Sequence, residues 1–207
     1  MAKLAGVAGD AYPVRNWRVG DLPDGRTMPT LWGQPIEQIL SALPAFDNLF
    51  AEFKPKAIIE LGTGTGGLTT YLSVWAYILG AKLITIENQH PLGSLEQIRK
   101  IESVLPVWAF VMDYNKDFFK VIEFIESPVL FLCDGAEDKG AQLYKFAPYL
   151  AMGDVLRGHD YKPEQGEKNQ LKDVEADAVC KDFGYERFMM DMWNSYESDW
   201  MCLRKIR

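Results

Sequence analysis

The chain has 207 residues, with 22 Lys+Arg against 29 Asp+Glu and a formal net charge of −7. A length of this order suits one domain with a complete core, and 48% hydrophobic with 25% charged residues excludes a disordered or low-complexity chain. The acidic balance, with no Lys/Arg cluster, would repel a phosphate backbone, so a small-molecule substrate is expected and nucleic acid is not.

Residues 1–32 carry Gly6, Gly9, Pro13, Gly20, Pro23, Gly25 and Pro29 without a sustained period. They read as an irregular N-terminal arm ahead of one domain over 33–207. Over 35–53 the apolar residues Ile36, Ile39, Leu40, Leu43, Phe46, Leu49, Phe50 and Phe53 recur at helical spacing, with Pro44 expected to kink or divide the helix.

After Lys56, short β-rich runs alternate with helical stretches: AIIELG (57–62), KLITIEN (82–88), VWAFVMD (107–113), PVLFLCDG (128–135) and DVLRGHD (154–160). The first connecting helix carries Leu68, Tyr71, Leu72, Trp75, Ile78 and Leu79 on one sheet-facing stripe, and others are predicted near 93–104, 116–126, 139–150 and 170–182. Parallel neighbours need crossover helices, so this alternation implies a parallel sheet covered on both faces. The runs at 184–193 and 198–207, joined by a turn at 194–197, leave no room for a crossover and predict a hairpin. The fold class is α/β: a Rossmann-like seven-stranded sheet, mostly parallel, with a C-terminal antiparallel hairpin and helices on both faces.

Cys133, Cys180 and Cys202 are odd in number and far apart, unlike a disulfide framework or a zinc site, which points to a reducing, cytoplasmic setting. The opening residues lack an apolar leader, and the stretch 68–86 is broken by polar residues, so no membrane role is expected. Oligomeric state is left open, with a second copy of the chain a candidate partner.

The densest signal is Glu60-Leu61-Gly62-Thr63-Gly64-Thr65-Gly66-Gly67, placed where a buried strand meets a helix. Glycines there permit positive φ and let backbone N–H groups approach a ligand. Gly62, Gly64 and Gly67 also satisfy the dinucleotide pattern G-x-G-x-x-G, so an NAD-linked oxidoreductase is one reading. A non-catalytic cofactor-binding protein is another.

The E-L-G-T-G-T-G run resembles motif I of class I S-adenosylmethionine-dependent methyltransferases. The stretch 131–161, with Asp134-Gly135 after one strand and His159-Asp160-Tyr161 after the next, is similar to small-molecule O-methyltransferases of the catechol and cephalosporin-hydroxylase-like type. Trp32-Gly33-Gln34-Pro35-Ile36 resembles a segment preceding the core of the latter group. The resemblance covers about 32–207. It implies methyl transfer from S-adenosylmethionine to a small molecule, with a hydroxyl oxygen as the expected acceptor atom and Glu60, Gly62, Thr63, Gly64, Gly66, Glu87, Asp113 and Asp134 toward the cofactor. Glu87 would bind the ribose hydroxyls and Asp113 would lie beside adenine.

In those relatives strand-end acids hold a divalent cation, usually Mg2+, which makes Asp134 and Asp160 the expected ligands, with Glu137 or Asp138 as additions. Tyr161 stands where a further oxygen ligand would complete the set. Asp134, His159 and Asp160 are the expected catalytic group. At an ordinary pKa near 6.5, His159 could take a proton from the acceptor, or it could simply be hydrogen-bonded at a strand end. His90 follows Glu87 in a polar turn, and Lys139 is expected to be a solvated first-turn residue. Met189, Met190, Met192, Trp193 and Trp200 read as core or pocket lining.

Overall fold

The computed structural model describes residues 17–21, 27–31, 34–36, 38, 40–88, 99, 102, 107–122, 125–135, 138–163 and 170–207. Its strands β4 (Ala57–Leu61), β5 (Lys82–Glu87), β6 (Val107–Val111), β7 (Val129–Cys133), β8 (Val155–Gly158), β9 (Tyr185–Arg187) and β10 (Met201–Lys205) build one sheet in the order β6-β5-β4-β7-β8-β10-β9. Pairing is parallel from β6 to β8, and β10 runs antiparallel to both of its neighbours.

Two cores follow from the period of two along each strand. Ile58, Leu83, Leu130, Leu132, Val155 and Cys202 face α1 (Ala42–Glu52) and α2 (Gly67–Leu79). Ile59, Ile84, Phe131, Leu156 and Leu203 face the other way, toward α3 (Tyr114–Asp117), α5 (Lys139–Phe146) and α6 (Asp173–Phe183). The central strands β4, β7 and β8 are therefore buried on both faces, as a parallel sheet requires, while Trp108, Phe110 and Val111 leave the edge strand β6 exposed.

Several expectations are corrected. Trp17–Asp21 (β1) and Thr27–Leu31 (β2) pair antiparallel, and Gln34–Pro35 (β3) adds to β2, so this part of the arm is a small sheet; residues 1–16 lie outside the described residues. Strand β3 ends at Pro35, the first position assigned to the 35–53 helix, and α1 begins only at Ala42. Pro44 consequently falls in the first turn, where its missing N–H would have had no intrahelical partner, and it neither kinks nor divides the helix. On α2, Leu68, Tyr71 and Leu72 are buried as expected, whereas Ile78 is exposed.

The helix placed at 116–126 is two short ones, α3 and α4 (Phe119–Ile122), and most of the one placed at 93–104 lies outside the described residues. The terminal hairpin is present, but β9 has three residues and a helix, α7 (Met190–Ser195), occupies much of its expected length. That helix buries Trp193 completely against Phe46, a contact an extended run would not supply. Trp200 is likewise core.

Candidate active site

Strand register sets the site. Glu60 pairs with Thr85, and Leu61 with both Ile86 and Cys133, so β4, β5 and β7 end at one rim, where open α/β sheets bind ligands. A cavity of about 370 Å³ opens there, within the range of small-molecule sites. Glu60, Glu87, Asp134, Lys139, His159 and Asp160 contribute to its walls together with the glycine loop.

The glycines divide the work. Gly62, Gly64 and Gly66 take positive φ of 91°, 50° and 82°, which turns the chain from β4 into α2. A Cβ on Gly62 would fall 2.5 Å from the carbonyl oxygen of Asp134, so Gly62 also lets β7 approach. Gly67 is needed for packing: a Cβ there would collide with the Pro35 carbonyl. Gly66 is the N-cap of α2 and, unlike Gly62, Thr63, Gly64, Thr65 and Gly67, is not part of the cavity wall.

Polar contacts fix this loop. Thr65 Oγ1 donates to the Pro35 carbonyl at 2.7 Å, Thr63 and Thr85 hydroxyls lie 2.7 Å apart, and the Gly64 N–H donates to Glu87 Oε2 at 3.1 Å. Thr69 Oγ1 donates to Glu60 Oε2 at 2.5 Å, while Glu60 Oε1 is buried without a hydrogen-bond partner. Burial pushes the Glu60 carboxyl up to about 8, against the Thr69 and Thr85 hydroxyls that favour its charged form. An orphaned acceptor on a cavity wall is suited to a donor brought by a ligand.

Asp113 is elsewhere. Its carboxylate accepts the Asn115 N–H at 3.0 Å as the N-cap of α3 and pairs with Lys116 at 2.9 Å, and it is not part of the cavity wall. Asp138 similarly caps α5 by accepting from the Ala141 N–H at 2.8 Å. Glu137 and His90 lie outside the described residues.

At the opposite wall the imidazole of His159 is clamped. Nδ1 meets Asp134 Oδ1 at 2.6 Å, Nε2 meets Asp199 Oδ2 at 3.3 Å, and the ring lies over Trp200 at 4.8 Å between centroids. Burial alone would lower its pKa, but the two carboxylates outweigh burial and carry it up to about 10. The paired carboxylates favour the charged form of His159, the arrangement of a histidine hydrogen-bonded at a strand end. The same pairing holds Asp199 below the ordinary carboxylate range despite burial.

Two partners complete the arrangement. Gln38 donates to Asp134 Oδ2 at 3.0 Å and accepts from the Trp200 indole at 2.9 Å. Lys139, expected in solvent, is only 4% exposed; its ammonium donates to the Gly135 carbonyl and lies 3.6 Å from Asp160 Oδ2. Asp160 adopts φ of 56°, a left-handed conformation that Asp tolerates better than most residues.

Sequence reasoning missed Asp199, Gln38 and the burial of Lys139. Asp199 reaches the rim because Met201 pairs with Gly158, a register that the Ser198-Asp199-Trp200 run does not disclose. Gln38 had a weak signal in the segment around Pro35 and Ile36, which precedes it.

No protein-family model matches the sequence, and no curated protein matches it. Solved structures do match. CmcI with SAH is similar over 85% of this chain and 81% of its own, at 17% identity and TM-score 0.57. CmcI with Mg and SAM is similar over 84% and 74%, at 17% identity and TM-score 0.58. A caffeoyl-CoA O-methyltransferase-like protein from Staphylococcus aureus is similar over 82% and 84%, at 13% identity and TM-score 0.57.

The chain has a Rossmann-like methyltransferase fold. In it the antiparallel β10 is inserted between β8 and β9, which differs from the all-parallel strand order of dinucleotide-binding sheets. Its cavity occupies the carboxyl-end rim, with the glycine loop on one wall and Asp134, Lys139, His159 and Asp160 on the other.

Proposed function

We propose that this protein binds S-adenosylmethionine in the cavity under the glycine loop and transfers its methyl group to a small-molecule acceptor, at a hydroxyl oxygen. The observation that carries the reading is convergence: Glu60, with a buried unpartnered oxygen, Gly64 and Glu87 share one cavity with an acidic wall across from them. Glu60 suits the ammonium of the cofactor's methionine part, whose positive charge would favour loss of the carboxyl proton that burial retains, and Glu87, which also accepts from the Gly64 N–H, suits the ribose hydroxyls. The CmcI complexes with SAH and with Mg and SAM support this choice over NAD, as does the inserted antiparallel strand.

The bound cofactor supplies a methyl group activated by a sulfonium, and its departing thioether needs no proton. What remains for the chain is alignment of the acceptor and acceptance of its proton. Asp160, the most exposed of the three rim carboxylates with a side chain 41% accessible, is the group placed to accept a hydrogen bond from an incoming hydroxyl. Asp134 and Asp199 are committed to His159, which acts as a positioning residue.

All three cysteines are free, which supports a reducing, cytoplasmic setting. Among the described residues no helix is long and apolar enough to cross a membrane.

The test is label transfer from methyl-labelled S-adenosylmethionine to a panel of phenols, catechols, aliphatic alcohols and amines. Labelled ethers with release of S-adenosylhomocysteine are expected. Transfer to amines alone would overturn the oxygen assignment.

A further inference from the structure

We infer that the side chains of Lys139 and His159 occupy the acidic wall of this cavity in the place a divalent metal would take, and that the site does not hold one. The inference deepens the proposed function, yet it is tested by metal binding and so can fail separately from it.

A metal held as the strand-end pattern implies would draw on Asp134 and Asp160. Both oxygens of Asp134 are already engaged, Oδ1 by His159 at 2.6 Å and Oδ2 by Gln38 at 3.0 Å. Asp160 is 41% accessible, yet a positive Lys139 Nζ stands 3.6 Å from its Oδ2 and His159 Nδ1 3.6 Å from its Oδ1, beyond hydrogen-bond reach but where a dication would have to sit. A dication bridging the two acids would stand beside the Lys139 ammonium and would have to displace the His159 ring from Asp134.

Another grouping, His159, Asp160 and Asp199, brings one ligand atom from each within 4.8 Å. It needs a free imidazole nitrogen, and both nitrogens of His159 are turned to carboxylates. Asp138, an expected addition, is occupied in capping α5.

The placement of Lys139 points the same way. It opens α5, and a helix N-terminus disfavours a cation. It is also buried, which removes solvent that would screen that charge. Asp160 and the Gly135 carbonyl offset this cost at the cavity wall, where a solvated lysine would have avoided it.

Arg157, two residues before His159 on β8, is fully buried among Phe46, Trp193 and Trp200 and adds a third fixed positive charge behind the wall. Lys139 and His159 therefore engage Asp134, Asp160 and Asp199, with Arg157 behind them, while Glu60 and Glu87 remain across the cavity. Preorganised positive groups of this kind can stabilise an acceptor oxygen as it gains negative charge, the service a metal otherwise provides.

The experiment titrates Mn2+ into chelator-treated full-length protein and follows the free-ion electron paramagnetic resonance signal. The wild-type protein should leave that signal unchanged into the millimolar range. One Mn2+ per chain bound more tightly, and lost in Asp160→Asn, would overturn the inference without requiring any cation-removing variant to fold. In Lys139→Gln/His159→Gln, affinity should rise by about tenfold or more as the resident charges leave. A folded double variant that still ignores Mn2+ would also overturn it, because those two side chains would not be what excludes the ion. These readings hold whether or not methyl transfer is observed.

Discussion

The backbone N–H of Gly64 donates to Oε2 of Glu87 at 3.1 Å, so the glycine loop and the terminal acid of β5 are joined across the cavity floor. Glu87 consequently both shapes the loop and lines the cavity. Replacing it with Ala should weaken S-adenosylmethionine binding by about 1–3 kcal/mol, or roughly 5- to 150-fold. Glu87→Gln, which retains an acceptor for Gly64, should recover part of that loss. Equal affinity in wild type and Glu87→Ala by calorimetry would remove Glu87 from the cofactor site.

Gly67 and Gly64 should separate stability from binding. A methyl at Gly67 would press on the Pro35 carbonyl, so Gly67→Ala is expected to lose about 1–3 kcal/mol from overpacking. Thermal unfolding should show a clear fall in midpoint. Gly64→Val should instead lose cofactor affinity, because it puts a β-branched side chain on the cavity wall, at a cost in backbone strain from the φ of 50° that circular dichroism and the unfolding midpoint would register. Unchanged affinity in folded Gly64→Val would defeat the motif I assignment.

Glu60 and His159 each hold a proton in the folded protein that the unfolded chain releases earlier: Glu60 rises from 4.5 to about 8, and His159 from 6.5 to about 10. Stability from such groups is present below the unfolded pKa and declines as pH rises toward the folded one. Glu60→Gln, which still accepts from Thr69, should flatten the decline between 4.5 and about 8, and His159→Gln the decline between 6.5 and about 10. Denaturation midpoints measured from pH 5 to 10 check both windows. A wild-type slope retained in Glu60→Gln would place the lower proton on another group.

Arg157 presents a competition whose sign can be measured. Its guanidinium is caged by three aromatic rings, worth about 0.5–2 kcal/mol each, but Nε, Nη1 and Nη2 are buried without hydrogen-bond partners. Burial also lowers its pKa to about 9. Desolvating a cation costs several kcal/mol, and the orphaned donors add to that cost. Arg157→Met is therefore expected to raise the unfolding midpoint while shifting the pH dependence of the nearby acidic wall. A fall of more than about 3 kcal/mol, the scale of breaking a buried pair, would show that the cage holds the fold together.

The alternating fold was legible because β4, β5, β7 and β8 are compact buried runs and the glycine loop marks the turn from β4 to α2. Glu60, Glu87, Asp134, His159 and Asp160 could be placed on the rim because each closes or follows such a strand. The state of His159 was not legible: Asp199 is 40 positions later and reaches it only through the antiparallel register of β10 on β8. Lys139 was misread because the first turn of a helix is usually solvated, whereas here α5 packs that turn against the cavity. Asp113 could not be assigned from its strand-end position, since capping and cofactor contact use the same residue type.

Isothermal calorimetry of the full-length protein with S-adenosylmethionine, S-adenosylhomocysteine and NAD tests the cofactor assignment most directly. One molecule of either adenosyl sulfur compound should bind per chain, both should compete for the same site, and NAD should not displace them. Saturable NAD binding at that site, with no heat from either sulfur compound, would contradict the assignment.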